Sequence, residues 1–210
     1  MEPTKAKSII LRIPIFSSVI ILASLLCSIW PESASVLIYD RNALISGEIW
    51  RIFTCHFVHF SNTHLAYNLF AFSIAVYIIE KKKYADFYLL YLCSAFAISV
   101  SLFILKPDMA FYGGLSGIAC GSLYYCALMG IKETPEWQRV CFLTIIFIPL
   151  KIAAETCNSA SILPYGEPMS FVSMPVSHII GCFVAVLFYI AQNISTKALA
   201  QRFVRYLIIQ

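Results

Sequence analysis

The sequence predicts an all-α membrane protein, a bundle of six spanning helices. Three observations carry that prediction. Hydrophobic residues make up 60% of the chain and charged residues only 12%, against roughly half and a quarter in an ordinary soluble domain. The apolar residues come in runs near the ~20 residues that a spanning helix needs. The breaks between runs hold Pro or charge: Pro31, Glu80-Lys81-Lys82-Lys83, Lys106-Pro107-Asp108, Lys132-Glu133-Thr134-Pro135-Glu136, and the stretch through Pro164 and Pro168. Lipid offers no partner to backbone N–H and C=O groups, so the runs are expected to be helices.

The spans are expected at 13–30, 62–80, 84–105, 114–131, 137–154 and 174–194. Together they form a single membrane domain over 1–210. The first span has the length of a signal peptide, but Trp30-Pro31-Glu32 follows it where a small-residue cleavage site would stand, so it reads as a retained helix. An outer loop, 31–61, contains Ile49-Trp50-Arg51-Ile52-Phe53, apolar but interrupted by charge, as an interfacial segment is. The tail 195–210 sets Leu199, Phe203 and Leu207 against Lys197, Arg202 and Arg205. It is expected to continue the sixth helix or to rest on the inner surface.

Basic residues orient the bundle. With both termini inside, Lys5, Lys7, Arg12, Lys81, Lys82, Lys83, Lys132, Arg139, Lys197, Arg202 and Arg205 are cytoplasmic. Only Arg41, Arg51, Lys106 and Lys151 remain on the outer side. The net charge of +4 is therefore a membrane anchor and not a nucleic-acid footprint. The eight cysteines form no CxxC pair. Most lie in apolar runs, where Cys packs as a small hydrophobe; Cys55 and Cys157 are the pair best placed for a disulfide.

Polar groups inside spans are costly and point to function. Span two opens with His64 and Asn68, four apart and so on one helix face. Span four opens with Gly113-Gly114-Leu115-Ser116-Gly117, and span six carries Ser177-His178 and Gly181. These spans run in the same direction, so the three polar sets share a depth, about 5–10 Å below the outer boundary at 1.5 Å rise per residue. A serine hydroxyl needs a base to become a nucleophile, and His178 is the candidate. A tetrahedral oxyanion needs donors aimed at it. His64, the Asn68 amide and the backbone N–H groups of Ser116 and Leu115, at a helix start where such groups lack partners, can supply them. Each motif has a plainer explanation. Gly-x-Ser-Gly also serves close helix packing, and a lone histidine or His/Asn pair also serves as hydrogen-bonding glue. Their joint occurrence at one depth favours chemistry.

Glu48-Ile49-Trp50-Arg51-Ile52-Phe53-Thr54, then His59, His64 and Asn68, resembles the first outer loop and second helix of rhomboid proteases. Gly114-Leu115-Ser116-Gly117 is similar to the rhomboid GxSG motif, and Ser177-His178-Ile179-Ile180-Gly181 to its AHxxG motif. The resemblance spans 47–185. It implies a six-helix rhomboid bundle with a water-accessible catalytic cavity and a Ser116–His178 dyad. It further implies oxyanion contacts from His64 and Asn68, structural anchors at Trp50 and Arg51, and motif glycines Gly114, Gly117 and Gly181. No cofactor or metal is implied; the partners are a transmembrane protein substrate and the bilayer, with no nucleic acid. Two positions depart from the pattern: Cys120 stands where an aromatic residue commonly stacks under the histidine, and Ser177 replaces alanine. No Asp or Glu is expected to complete a triad. The short chain and the Gly-Glu-Ile-Trp-Arg-Ile-Phe-Thr-Cys-His-Phe-Val-His opening look most like the rhombosortase branch. That branch implies a bacterial inner-membrane enzyme acting on C-terminal Gly-Gly, helix and basic-tail signals.

Three rivals remain. A catalytically silent rhomboid-like binding protein would be marked by loss of Ser116 or His178, and both are present. A metal enzyme would use His56, His59 and His64, but no carboxylate accompanies them at helical spacing, and His56 and His59 read as loop hydrogen-bonding groups or as a ring at the cavity mouth. A transporter would carry charge at the midplane; Lys151 and Glu155 instead read as a local i, i+4 pair near the outer boundary. The stretch Thr156 to Ser173 has the Pro, Gly and aromatic content of a cap over the cavity.

Overall fold

A computed structural model describes residues 15–84, 87–158, 161 and 174–209, with side chains described to residue 194. The described elements are α1 (Ile15–Ile29), α2 (Glu32–Leu37), β1 (Tyr39–Asp40), α3 (Arg41–Ile45), α4 (Arg51–Thr54), α5 (Asn62–Lys82), α6 (Phe87–Leu105), β2 (Phe111–Tyr112), α7 (Ser116–Gly130), α8 (Pro135–Asn158) and α9 (Pro175–Ile209). A helix overlaps each expected span, and α9 runs on past residue 194 to Ile209. Among the described residues, four helices are long and apolar enough to cross a membrane: α5, α6, α8 and the 175–194 part of α9. Helices α1 and α7 have 15 residues each, about 22 Å at 1.5 Å per residue.

The outward faces are as apolar as the core. On α8, Leu143, Phe147 and Leu150 are each more than 60% exposed, a stripe that water would not tolerate and lipid would. Inside, α7 is central and packs on α5, α6, α8 and α9, with Ile118, Ala119, Tyr125 and Cys126 buried. Phe87 and Tyr91 of α6 meet Phe16 of α1 in edge-to-face contacts, and Phe72 of α5 meets the same two α6 rings edge-to-face, which fixes α1 against the bundle. Tail residues 195–209 extend α9 as one continuous helix.

The outer loop is more ordered than an interfacial segment requires. Arg51 is 5% exposed; its guanidinium donates to Glu48 at 2.8 Å and to the Ser35 and Ile38 carbonyls at 3.0 and 2.7 Å. Trp50 Nε1 donates to the Val36 carbonyl at 3.2 Å. Strand β1 pairs antiparallel with β2 in the register Tyr39↔Tyr112 and Asp40↔Phe111. This two-residue ladder ties the loop to the segment immediately before Gly113, so the loop becomes part of the support for α7.

All eight cysteines are free. The Cys55–Cys157 pairing does not form: Cys55 is buried against Ser99, Sγ to Oγ 3.6 Å, while Cys157 is exposed on α8. The cap expected over 156–173 lies, beyond Asn158 and apart from Ser161, outside the described residues, as do Lys5, Lys7 and Arg12.

Candidate active site

The site is assembled at the start of α5. Ser61 caps that helix, its Oγ accepting the His64 N–H at 3.1 Å, which satisfies one of the orphan donors of the first turn. The cap fixes where the helix begins and so where His64 and Asn68 sit. Both are buried, at 5% and 6% exposure, and both converge on Gly114. A Cβ there would lie 2.9 Å from His64 Cε1 and 3.9 Å from Asn68 Nδ2, and the backbone has φ +132°. Only glycine meets both demands. Asn68 Nδ2 is buried without a hydrogen-bond partner among the described residues, the state of a donor held ready for an acceptor.

The loop before α7 is clamped from the other side by the outer loop. The Gly114 N–H donates to the Cys55 carbonyl at 3.1 Å. His56, with no exposed surface, lies between the Gly114 and Ala95 carbonyls, each 3.2 Å from a ring nitrogen. His59 Nδ1 lies 3.1 Å from the Phe57 carbonyl, and its Nε2 accepts the Leu115 N–H at 3.3 Å. These contacts answer what His56 and His59 do: they hold the backbone ahead of Ser116. Two carbonyls beside His56 favour its charged form, yet burial dominates and holds it down to about 4; burial likewise holds His59 to about 3. Both are neutral at physiological pH. The Leu115 N–H, expected among the oxyanion donors, is engaged by His59, because the turn into α7 directs it to the loop.

Helix α7 starts at Ser116, with Leu115 as its cap residue. Helices α7 and α9 then touch backbone to backbone. A Cβ at Gly117 would fall 2.8 Å from the Ser177 carbonyl, and methyls at Gly121 and Gly181 would collide with the facing helix. Small residues permit this approach. Ser116 and His178 directly flank the Gly117–Ser177 contact, on the two helices that it joins. His64 lies within electrostatic reach of His178.

Glu155 pairs with Lys151 along α8, as expected, and has a second neighbour that the sequence did not point to. It is not merely the local partner of Lys151. Its Oε2 lies 2.7 Å from Lys151 Nζ and 3.3 Å from His178 Nδ1, and Glu155 is 1% exposed. The contact to Nδ1 does not reach hydrogen-bond geometry, and that nitrogen has no other partner among the described residues. A carboxylate thus does stand beside the imidazole. The expectation that none would overlooked that α8, antiparallel to α9, brings its last turn level with the first turn of α9. The available signal was an acidic residue at the outer end of a neighbouring span. Cys120, where an aromatic ring was the common pattern, faces Cys182 with the sulfurs 3.8 Å apart.

The described residues contain no group of three His, Cys, Asp or Glu side chains arranged to hold a metal. In comparison with known proteins, no curated protein matches the chain. A family model described as Rhomboid domain matches residues 46–195. The match runs from the outer loop through α9 and takes in Arg51, His64, Asn68, Ser116, Glu155 and His178. This multi-pass membrane protein therefore belongs to the rhomboid family, a family of intramembrane serine proteases.

Proposed function

We propose that the protein is an intramembrane serine endopeptidase acting through Ser116 and His178 on membrane-anchored proteins near the outer boundary. The observation that carries this is the backbone contact of α7 with α9 at Gly117 and Ser177, residues that adjoin Ser116 and His178 along the chain. Ser116 Oγ attacks the scissile carbonyl carbon while His178 takes its proton. The oxyanion collects donors from Asn68 Nδ2, His64 and the Ser116 N–H. The C–N bond then breaks, the leaving amine takes the proton from His178, and water hydrolyses the acyl-enzyme with His178 again as base. Gly114, Gly117 and Gly181 set the spacing, and Trp50 and Arg51 hold the outer loop that clamps the GxSG turn.

The finer reading is a rhombosortase. The enzyme sits in a bacterial inner membrane with both termini cytoplasmic and the site facing the periplasm. It processes C-terminal Gly-Gly, helix and basic-tail signals. The basic residues at the ends of α5 and α7 and the resemblance of the outer loop support this. The test is co-expression with a Gly-Gly-tailed substrate and mass spectrometry of the released C-terminus. Wild type should yield one new C-terminus and Ser116→Ala none. Cleavage of unrelated transmembrane substrates but not this one would leave a rhomboid protease of other specificity. Undiminished cleavage by Ser116→Ala would refute the nucleophile, and no cleavage of any substrate would favour a silent binding protein.

A further inference from the structure

Glu155 lies in the last turn of α8, where the negative end of the helix dipole disfavours an anion. It is also 1% exposed, and a buried carboxylate is costly unless its partners compensate. An i, i+4 tether within one helix needs no such burial, since Lys151 and Glu155 could pair equally well toward the headgroups. Instead a single oxygen, Oε2, serves Lys151 on its own helix and His178 across the interface, at 2.7 and 3.3 Å. The arrangement sacrifices solvation to bring a carboxylate to Nδ1.

An imidazole can present only one nitrogen as a base, and the hydrogen bond made by the other nitrogen decides which. A carboxylate at Nδ1 selects the tautomer with Nδ1–H, leaving the Nε2 lone pair for the serine proton. We propose that Glu155 is a positioning residue for His178, so that α7, α9 and α8 contribute a Ser116–His178–Glu155 chain in which Lys151 holds the carboxylate turned inward. This rests on the reading of Ser116 and His178 as the reacting pair. The resting contact is longer than the ~2.7–2.9 Å of a charge-assisted hydrogen bond, as catalytic contacts in unliganded enzymes often are. It tightens when His178 accepts the proton and becomes cationic. Glu155 stabilises that cation and does not itself take the proton. Among the described residues, the other charged or titratable groups that act on the ring are His64 from α5 and Lys151 from α8. Neither is a carboxylate.

The experiment uses the purified full chain and a fluorophosphonate, a general serine-reactive probe, with labelling rate followed against pH. Glu155→Gln should label about 100-fold more slowly at neutral pH, below the ~10⁴-fold known for amide replacement in an established triad because Lys151 shares the carboxylate. Its acid limb should move to lower pH, since the imidazolium loses its anion. Glu155→Asp should recover part of the rate. Labelling of Glu155→Gln at the wild-type rate with an unshifted limb would overturn the proposal and leave the Ser116 assignment standing. Absence of labelling in wild type would instead bring down that assignment. If Glu155→Gln does not fold, the wild-type tautomer decides. The chain has four histidines, so ¹⁵N-histidine spectra, with His178 assigned by His178→Gln, resolve it. An Nδ1–H signal supports the positioning role and an Nε2–H signal refutes it.

Discussion

The two ends of the bundle treat charge in opposite ways. At the end where α5 leads to α6 and α7 to α8, Lys82 pairs with Glu133, and their side chains stay 37% and 25% exposed. Tyr84 and Lys132 add hydrogen bonds to Glu133 and Asn193, and Lys82 also lies 5.6 Å from the Trp137 ring centre. Water can solvate these groups, so each pair contributes little, and their role is to anchor helix ends at an interface. At the other end, Lys151 and Glu155 are 19% and 1% exposed, and His56, His64 and His178 are buried. There the protein must supply every compensating contact itself. The anchoring end is thus built for position and tolerates change, whereas the site end holds polar groups against their solvation preference.

The largest effect should come from breaking the contact that joins the site's two halves. Gly181→Leu places a branched side chain where even a methyl would strike the Gly117 carbonyl. Little folded protein should survive detergent extraction and size-exclusion chromatography, and a normal yield would contradict the close approach of α7 and α9. His56→Ala should come next. It removes an imidazole contacting two carbonyls and leaves a cavity, at a cost of roughly 2–4 kcal/mol, measured as a fall in Tm together with slower probe labelling of Ser116.

The same histidines make stability depend on pH. In the folded chain His56 is neutral down to about 4, while in the unfolded chain it protonates near 6.5. Protonation therefore favours unfolding, and the stability present above about pH 6.5 drains away as pH falls toward about 4. The Tm of wild type should drop across that window, and His56→Gln should flatten part of the slope. Asn68→Ala should leave Tm nearly unchanged but slow cleavage roughly 10–1000-fold, the range for one oxyanion donor; an unaltered rate would remove Asn68 from that role. The smallest effect is expected at the opposite end, where Lys82→Ala should change stability by about 1 kcal/mol or less.

Chain order and composition were enough to find the helices. The Pro and charge breaks separate runs whose ends match α5, α6, α7 and α8 to within a few residues, because lipid admits little else for an apolar run. The motif residues were also legible, since an imidazole, an amide and a Gly-flanked serine are conspicuous against an apolar background. His56 and His59 were seen but left without a firm role. Apart from the Ser99 hydroxyl, their partners are backbone groups of α6, the outer loop and the turn before α7, and backbone groups carry no sequence signal.

Composition and periodicity along the chain are enough to establish the membrane bundle, its breaks and the polar groups it carries. Those properties follow from local periodicity and transfer cost, which neighbouring residues suffice to set. Which polar groups meet depends on how the helices pack. Lys151 and Glu155 look like a self-contained pair along one helix. Packing α8 antiparallel to α9 turns their shared oxygen toward His178, 23 residues further along the chain. Such a contact depends on the rotation and depth of two helices at once, and periodicity within one segment does not encode it.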